Sequence, residues 1–320
     1  MKLKKLAVFA ALFSFLALPM ALQAQLKTIG EPKVLVPGDG QLYQNAVWAP
    51  DGSSFAFTSI QYQGIWVADK DGKNIKQLTD KDAGYALKWS SDSETILTRT
   101  SEYVNRRKQS AITLFDKNSG VETQLSEPRL SMSSMPQWAQ FDEKVVLISD
   151  DKIETFETGK VADAAKQKML PDQSFYLLKK NQLAKGKIPT NSTENISPFE
   201  NATYLNLQVS PDGKKLAFEI YGGNLFVMNV DGTELVDLGP AYNPSWSPDS
   251  RYVVANKIVD DGHNITDADI FAFSVDGSEQ INLTATTSLI ALNPSWAPNG
   301  NSIIFDEPTT GNIYLLEITR

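Results

Sequence analysis

The chain has 320 residues, no cysteine and a formal net charge of −8. Disulfides are therefore excluded, and the fold must rest on buried apolar surface, which a chain of this length can supply. Once the three lysines of the N-terminal segment are removed with it the charge becomes −11, so neither nucleic acid nor an anionic membrane surface is expected as a partner.

Residues 1–24 read as a secretory signal peptide. Lys2, Lys4 and Lys5 precede an uncharged apolar run from Leu6 to Met20, and Ala21-Leu22-Gln23-Ala24 offers a cleavage site. The run is short for a membrane span, and no cysteine follows to carry a lipid. The expected mature domain is 25–320, periplasmic or extracellular, with no integral membrane segment after cleavage.

A first strand is expected at Lys33-Val34-Leu35-Val36. A phrase then recurs: Trp48-Ala49-Pro50-Asp51-Gly52, Val209-Ser210-Pro211-Asp212-Gly213 and Trp246-Ser247-Pro248-Asp249-Ser250, with worn copies at Trp89-Ser90-Ser91-Asp92-Ser93 and Trp296-Ala297-Pro298-Asn299-Gly300. Pro presets φ for the first central position of a type I turn, Asp bonds nearby N–H groups, and Gly takes the left-handed position that closes a bulged hairpin. Each phrase should join two antiparallel strands. A second phrase supplies a third strand and another tight turn, as in Ile65-Trp66-Val67-Ala68-Asp69-Lys70-Asp71-Gly72 and Leu225-Phe226-Val227-Met228-Asn229-Val230-Asp231-Gly232. A fourth short strand ends near Gln77-Leu78-Thr79 and Asn282-Leu283-Thr284.

Counting the Trp position, with Trp138 after Met135-Pro136-Gln137, gives 48, 89, 138, 209, 246 and 296, at spacings of 41, 49, 71, 37 and 50. Repetition at such a period signals a propeller. The expectation is an all-β, six-bladed β-propeller of four-stranded antiparallel blades. Residues 161–200 form an insertion between blades 3 and 4, with a seventh, degenerate blade hidden there as the structural alternative. The last unit runs out after its third strand, Ile313-Tyr314-Leu315-Leu316-Glu317, so the N-terminal strand is expected to complete it and close the ring.

These phrases resemble the WD40-like PD40 repeats of the TolB family, over nearly the whole mature chain. The resemblance implies an exported β-propeller. The chain lacks the N-terminal α/β domain of that family, which puts its envelope partnerships in doubt. It also resembles the propeller of prolyl-oligopeptidase-type peptidases, but no Gly-x-Ser-x-Gly elbow follows. Stand-alone TolB-like propellers of Gram-negative bacteria are the nearer likeness, and they carry no assigned function with them.

Two places break the repeat and are the candidate ligand-binding residues. One is Tyr103-Val104-Asn105-Arg106-Arg107-Lys108, where Arg106 and Arg107 offer planar forks for carboxylate or phosphate, set against a plain solvated hairpin tip. The other spans Asp260 to Asp269, with Asp260, Asp261, His263 (the sole histidine) and Asp269. Carboxylates at such spacing can hold a cation or polar ligand, but Asp, Asn and Gly are also the ordinary residues of a turn. The Trp positions are expected between blades, and the Asp-rich turns to serve turn chemistry. With one histidine and no nucleophile motif, no catalytic residue, metal or cofactor is expected. The chain reads as a monomeric, non-catalytic module binding an envelope protein or glycan. The alternative is a hydrolase or lyase acting on polysaccharide.

Overall fold

The computed structural model describes residues 26–132, 134–149, 152–161, 174–188 and 192–320. The expected signal peptide lies outside the described residues, as does part of the expected insertion. Among the described residues no α-helix forms.

The chain opens with β1 (Lys27–Val36). Sheet 1 is β2 (Tyr43–Trp48), β3 (Ser54–Ser59), β4 (Gln63–Asp69) and β5 (Lys76–Asp82). Sheet 2 is β6 (Lys88–Trp89), β7 (Thr95–Val104), β8 (Arg107–Asp116) and β9 (Glu122–Gln124); a single pairing, Asp82 with Ser101, links it to sheet 1. Sheet 3 is β10 (Gln137–Ala139), β11 (Lys144–Ser149) and β12 (Lys152–Glu157), and sheet 4 is β13 (Ser174–Lys179), β14 (Gln182–Lys187) and β15 (Ser192–Asn195). Sheet 5 is β16 (Tyr204–Val209), β17 (Lys215–Ile220), β18 (Leu225–Asn229) and β19 (Val236–Asp237). Sheet 6 is β20 (Tyr242–Trp246), β21 (Tyr252–Asp260), β22 (Ile265–Ser274) and β23 (Gln280–Asn282). Sheet 7 is β24 (Leu292–Trp296), β25 (Ser302–Asp306) and β26 (Ile313–Thr319), to which β1 adds as the fourth strand.

Each sheet buries both faces against its neighbours, which is why β3 is buried along its whole length. Seven apolar clusters lie between consecutive sheets: 1 and 2 around Ile65 and Phe115, 2 and 3 around Leu114 and Leu147, 3 and 4 around Ile148 and Phe175. Tyr204 joins Tyr176 between 4 and 5, Trp246 and Val227 fill 5 and 6, Trp296 and Ile270 fill 6 and 7, and Trp48 with Ile304 closes 7 onto 1. The circuit is complete, so the molecule is a closed β-propeller.

The repeat phrases count six units, whereas the described strands form seven sheets. The extra one is sheet 4, within the stretch read as an insertion. Its turn at Lys180–Asn181 and its buried Phe175, Tyr176, Leu177 and Leu183 build a blade without the Trp and Pro-Asp-Gly markers. A strand buried on both faces needs a continuous apolar run and not that turn, so the phrase undercounts.

Closure by the N-terminal strand is as expected. β1 runs antiparallel to β26, pairing Lys27 with Thr319 and Val34 with Tyr314, and Leu26 and Val36 are buried. This removes the free edge that an open sheet 7 would present. At the other end of the chain, Arg320 ion-pairs with Asp249, and its guanidinium lies 5.4 Å over the Tyr252 ring and 5.5 Å over Trp296.

The turn phrase behaves as its residues require. Gly52 has φ +68°, its N–H donates to Ala49 O at 2.9 Å, and Asp51 accepts from Ser53 N–H at 2.9 Å. Ser93 and Ser250 take the same left-handed position without being glycine. Their hydroxyls explain why: Ser93 accepts the N–H of Asp51 in the preceding sheet, and Ser250 that of Asp212, each at 3.0 Å. These two serines are cross-links between sheets. Trp48, Trp89, Trp246 and Trp296 are buried as expected. Three indoles tie to the preceding inner strand: Trp89 to Val47 O at 3.0 Å, Trp138 to Lys88 O at 3.1 Å and Trp246 to Gln208 O at 3.4 Å.

Candidate functional site

The first strands of the sheets approach one another and form the inner rim of the ring, as the bonds Trp48 N–H to Ser295 Oγ (3.3 Å) and Trp296 N–H to Ser245 Oγ (3.1 Å) show. Antiparallel order puts every Pro-Asp-Gly turn at one end of the ring, together with the turns between third and fourth strands. The hairpins between second and third strands stand at the other end. At the first end the carboxylates are used locally. Asp69 accepts from Lys73 N–H at 2.7 Å and from the Asn74 amide at 2.8 Å, and Asp276 accepts from Ser274 and Ser278, whose hydrogen bonds hold it down at about 2.

The hairpin end differs. Four inner strands carry a left-handed asparagine: Asn45 (φ 54°), Asn206 (49°), Asn243 (56°) and Asn293 (52°). Asparagine tolerates this conformation, and each sits at a register shift where the inner strand bulges. The bulges turn the amides into a chain. Asn206 Nδ2 donates to Asn243 Oδ1 at 3.0 Å, Asn243 Nδ2 to Asn293 Oδ1 at 2.7 Å, and Asn293 Nδ2 to Asp306 Oδ2 at 3.0 Å. All donors point the same way, toward a carboxylate, an arrangement in which successive bonds polarise one another.

Three buried groups on the second strands support the chain. Glu219 accepts from Asn206 Nδ2 at 2.8 Å and Asn243 N–H at 2.5 Å. Asn256 accepts from Asn293 N–H at 3.3 Å, and Asp306 from Asn45 N–H at 2.8 Å. Burial pushes Asp306 up to about 7 against these hydrogen bonds, and it raises Glu219 in the same sense. Tyr62 stands close enough to Asp306 to feel its charge: burial, Tyr85 and Asp306 raise its phenol. Tyr62 and Tyr85 meet edge to face at 5.0 Å, and the Arg99 guanidinium lies 5.7 Å from the Tyr85 ring centre.

The residues singled out from the sequence lie at this same end, in two groups that the structure keeps apart. Arg106 and Arg107 are exposed at the tip of the β7–β8 hairpin, where Asn105 and Arg106 both have positive φ, the pattern of a type I′ turn. Lys108 is engaged by Asp82 at 2.7 Å. Asp260, Asp261 and His263 are exposed at the tip of the β21–β22 hairpin, across the ring. Asp261 accepts the N–H groups of His263 (2.9 Å) and Asn264 (2.8 Å), which are turn bonds. Asp269 is elsewhere: it pairs with Lys257 down the strand, and its oxygens accept from Thr284 Oγ1 at 2.6 Å and Asn282 Nδ2 at 2.8 Å, clamping the third strand to the fourth. Among the described residues, no three His, Asp or Glu side chains converge as metal ligands would.

Trp66 is packed with Tyr43 and Phe57. The asparagine–carboxylate chain was not singled out from the sequence. Its signal is present there, as an Asn three residues before each of Trp48, Val209, Trp246 and Trp296, but the bulge that gives those residues their common direction is a backbone feature.

No protein-family model matches the chain, and neither does any curated protein. Solved structures do. An oligogalacturonate lyase in complex with manganese aligns over 92% of this chain and 96% of its own at 13% identity, with a TM-score of 0.59. The Cps50 (Swd1) β-propeller domain of Myceliophteria thermophila aligns over 90% and 100% at 12% identity and 0.61. A putative TolB from Agrobacterium tumefaciens aligns over 88% and 91% at 15% identity and 0.52. These likenesses show the β-propeller fold. Among the described residues no helix is long and apolar enough to cross a membrane.

Proposed function

We propose that the protein is an exported, monomeric, non-catalytic binding module of the cell envelope that takes a protein or glycan ligand at the hairpin end of its ring. One observation carries the reading: the two ends of the same repeats are used differently. At the turn end, the recurring aspartates are consumed by their own turns and, for Asp92 and Asp249, by ion pairs with Lys160 and Arg320. At the hairpin end stand a chain of amides along the rim, exposed Tyr103 and Tyr221 at 75% and 76% accessibility, and two hairpins reaching beyond the ring with Arg106, Arg107, Asp260, Asp261 and His263 at their tips. Exposed aromatic and arginine side chains around polar groups are the composition of recognition surfaces.

The test is affinity capture from the native envelope, run beside a glycan thermal-shift panel. Wild type should retain a ligand, and a variant carrying Arg106→Ala, Arg107→Ala and Tyr103→Ala should lose it with its melting unchanged. Equal retention by that variant and by one altered at the turn end would overturn the reading.

A second reading is a lyase or hydrolase acting on polysaccharide. Asp306 favours it, because a carboxyl near 7 is suited to proton transfer at neutral pH. Asp306→Asn discriminates: a binding module keeps its ligand, whereas an enzyme that uses this carboxyl loses turnover.

A further inference from the structure

We propose that the hairpin end of sheets 1 and 2 is a docking strip for an extended acidic peptide segment of another protein. Its apolar side chains lie on Leu42, Ile60, Tyr62 and Tyr85, and its carboxylates reach Arg106 and Arg107. This rests on the reading of the hairpin end as the ligand site and names what it binds.

The strip is built from two connections and a turn. Leu42 lies in the link from β1 to β2, and its carbonyl accepts the N–H of Ile60 at 2.9 Å. Ile60 opens the short turn Ile60–Tyr62 between β3 and β4. Tyr62 O accepts the N–H groups of Ala83 (3.3 Å) and Gly84 (2.8 Å), which ties the turn to the link between β5 and β6. There Tyr85 meets the Tyr62 ring edge to face at 5.0 Å. All four side chains are exposed, Ile60 by 53%. Adjoining exposed apolar side chains with a polar surround mark interaction sites. Among the described residues, the hairpins of sheets 5, 6 and 7 expose two large apolar side chains, Tyr221 and Val259, on different sheets.

The turn that presents the strip is strained. Gln61 and Tyr62 both have φ 61°, a region that bulky side chains rarely occupy. The surroundings hold it there, through the two bonds to Tyr62 O and through Ser59 Oγ, which donates to Gln63 O at 2.8 Å. Strain of this kind gathers where a side chain is presented to a ligand.

Charge decides the partner. The chain as a whole is acidic, at −8. Between Ser101 and Ser110, however, the β7–β8 hairpin holds one carboxylate, Glu102, against Arg106, Arg107 and Lys108. Lys108 is taken by Asp82 at 2.7 Å, which together with the Asp82–Ser101 pairing fastens the hairpin to the end of sheet 1. Arg106 and Arg107 are exposed and have no ion pair among the described residues. Their planar forks suit carboxylates. The β21–β22 hairpin across the ring carries Asp260 and Asp261 and repels such a segment.

Shape and chemistry exclude the other occupants. Leu42 and Ile60 are aliphatic and are covered best by apolar side chains, which a peptide has and a glycan lacks. β7 and β8 run for 10 residues each, against 6 and 7 in β3 and β4, so the hairpin projects past the strip. A flexible segment follows that step, whereas a flat folded surface does not.

The experiment is selection of random dodecapeptides displayed on phage against the full exported chain, followed by anisotropy titration of the enriched peptide. Enriched peptides should carry Asp or Glu beside Leu, Phe, Tyr or Trp. Arg106→Glu with Arg107→Glu should weaken the peptide at least about tenfold, the loss expected for one hydrogen bond to a charged group. The same selection on that variant should no longer enrich Asp and Glu. Ile60→Ala and Tyr85→Ala should each weaken binding about fivefold or more, and Lys70→Gln at the turn end should not. Unchanged melting of the variants excludes misfolding as the cause. No enrichment, enrichment without acidic residues, or indifference of the enriched peptide to the arginine replacements would overturn the proposal. So would equal losses in Lys70→Gln and Ile60→Ala. If an envelope ligand is still captured through the Arg106, Arg107 and Tyr103 face in that event, the broader reading stands; if that capture fails too, both fall.

Discussion

On one side of the axis, sheets 5, 6, 7 and 1 present Asn206, Asn243, Asn293 and Asn45, each bonded to a buried Glu219, Asn256 or Asp306. On the other side, sheet 2 has Ala86 at the left-handed rim position and Arg99 on its second strand, and sheet 3 has Ile148 at the position of Asp306. Sheet 2 keeps the same backbone device, since Ala86 has φ 56° although alanine gains nothing from it. The difference lies in satisfaction. On the amide side Asn206, Asn243 and Asn293 bond one another in a single chain that ends on Asp306. On the sheet 2 side the Arg99 and Lys88 side chains have no hydrogen-bond or ion-pair partner among the described residues. A repeat protein that binds selectively must break its own symmetry somewhere, and here the break falls at the rim.

The largest effect expected is removal of residues 26–36. β1 completes sheet 7, so its loss removes the buried Leu26 and Val36 from the packing on either side and leaves β26 unpaired at an edge. Tm should fall by more than about 10 °C, since roughly 2–4 °C accompanies each kcal/mol in a chain this large. A melt unchanged by the truncation would show that the ring does not depend on this closure.

Next come the tryptophans of the two halves. Trp246→Ala empties a buried site between sheets 5 and 6 and should cost about 3–5 kcal/mol. Trp138→Ala in sheet 3 removes a partly buried indole and should cost clearly less in the same denaturant titration. Equal losses would mean that the two halves are packed alike.

The third is a pH effect on the amide side. Asp306 has its folded value raised to about 7, above an unfolded value near 4. The folded state therefore holds a proton that the unfolded state releases. Its stabilising contribution is full below about pH 4, is lost as pH rises to about 7, and is flat above that. The change is on the order of 4 kcal/mol at most. Asp306→Asn should remove most of this fall from a plot of stability against pH, leaving the part owed to Glu219. Arg99→Gln should leave the plot unaltered. A profile identical in wild type and Asp306→Asn would remove Asp306 from the account.

The smallest come from a single hydrogen bond and from an exposed tip. Ser250→Ala breaks the link to Asp212 N–H and should cost about 1 kcal/mol. Arg106→Ala, at an exposed hairpin tip, should stay within about 0.5 kcal/mol. A larger loss for Arg106→Ala in chemical denaturation would make that hairpin part of the scaffold.

Much of this architecture was legible in the chain. The Pro-Asp-Gly phrase specifies a turn by local chemistry, the Trp positions specify burial, and the truncated last unit asks for a closing strand. Such signals act within a few residues, so one sequence suffices to read them. Sheet 4 escaped because a blade buried on both faces needs a continuous apolar run but not the marker, and Phe175, Tyr176 and Leu177 carry only the former. Of the candidate residues, Arg106, Arg107, Asp260, Asp261 and His263 were legible as breaks in the repeat. Asp269 was grouped with them by nearness along the chain, yet strand direction carries it away from the tip to Thr284 and Asn282.

The sequence by itself determined the element type, the turns, the buried tryptophans and the need for closure, because each follows from local chemistry or periodicity. Only the tertiary structure decided the number of sheets, the bonding of Asn206, Asn243 and Asn293 into one chain ending on Asp306, and the isolation of Arg99 and Lys88. Those properties depend on which residues meet across sheets, and neighbours in a ring are set by packing between units far apart along the chain.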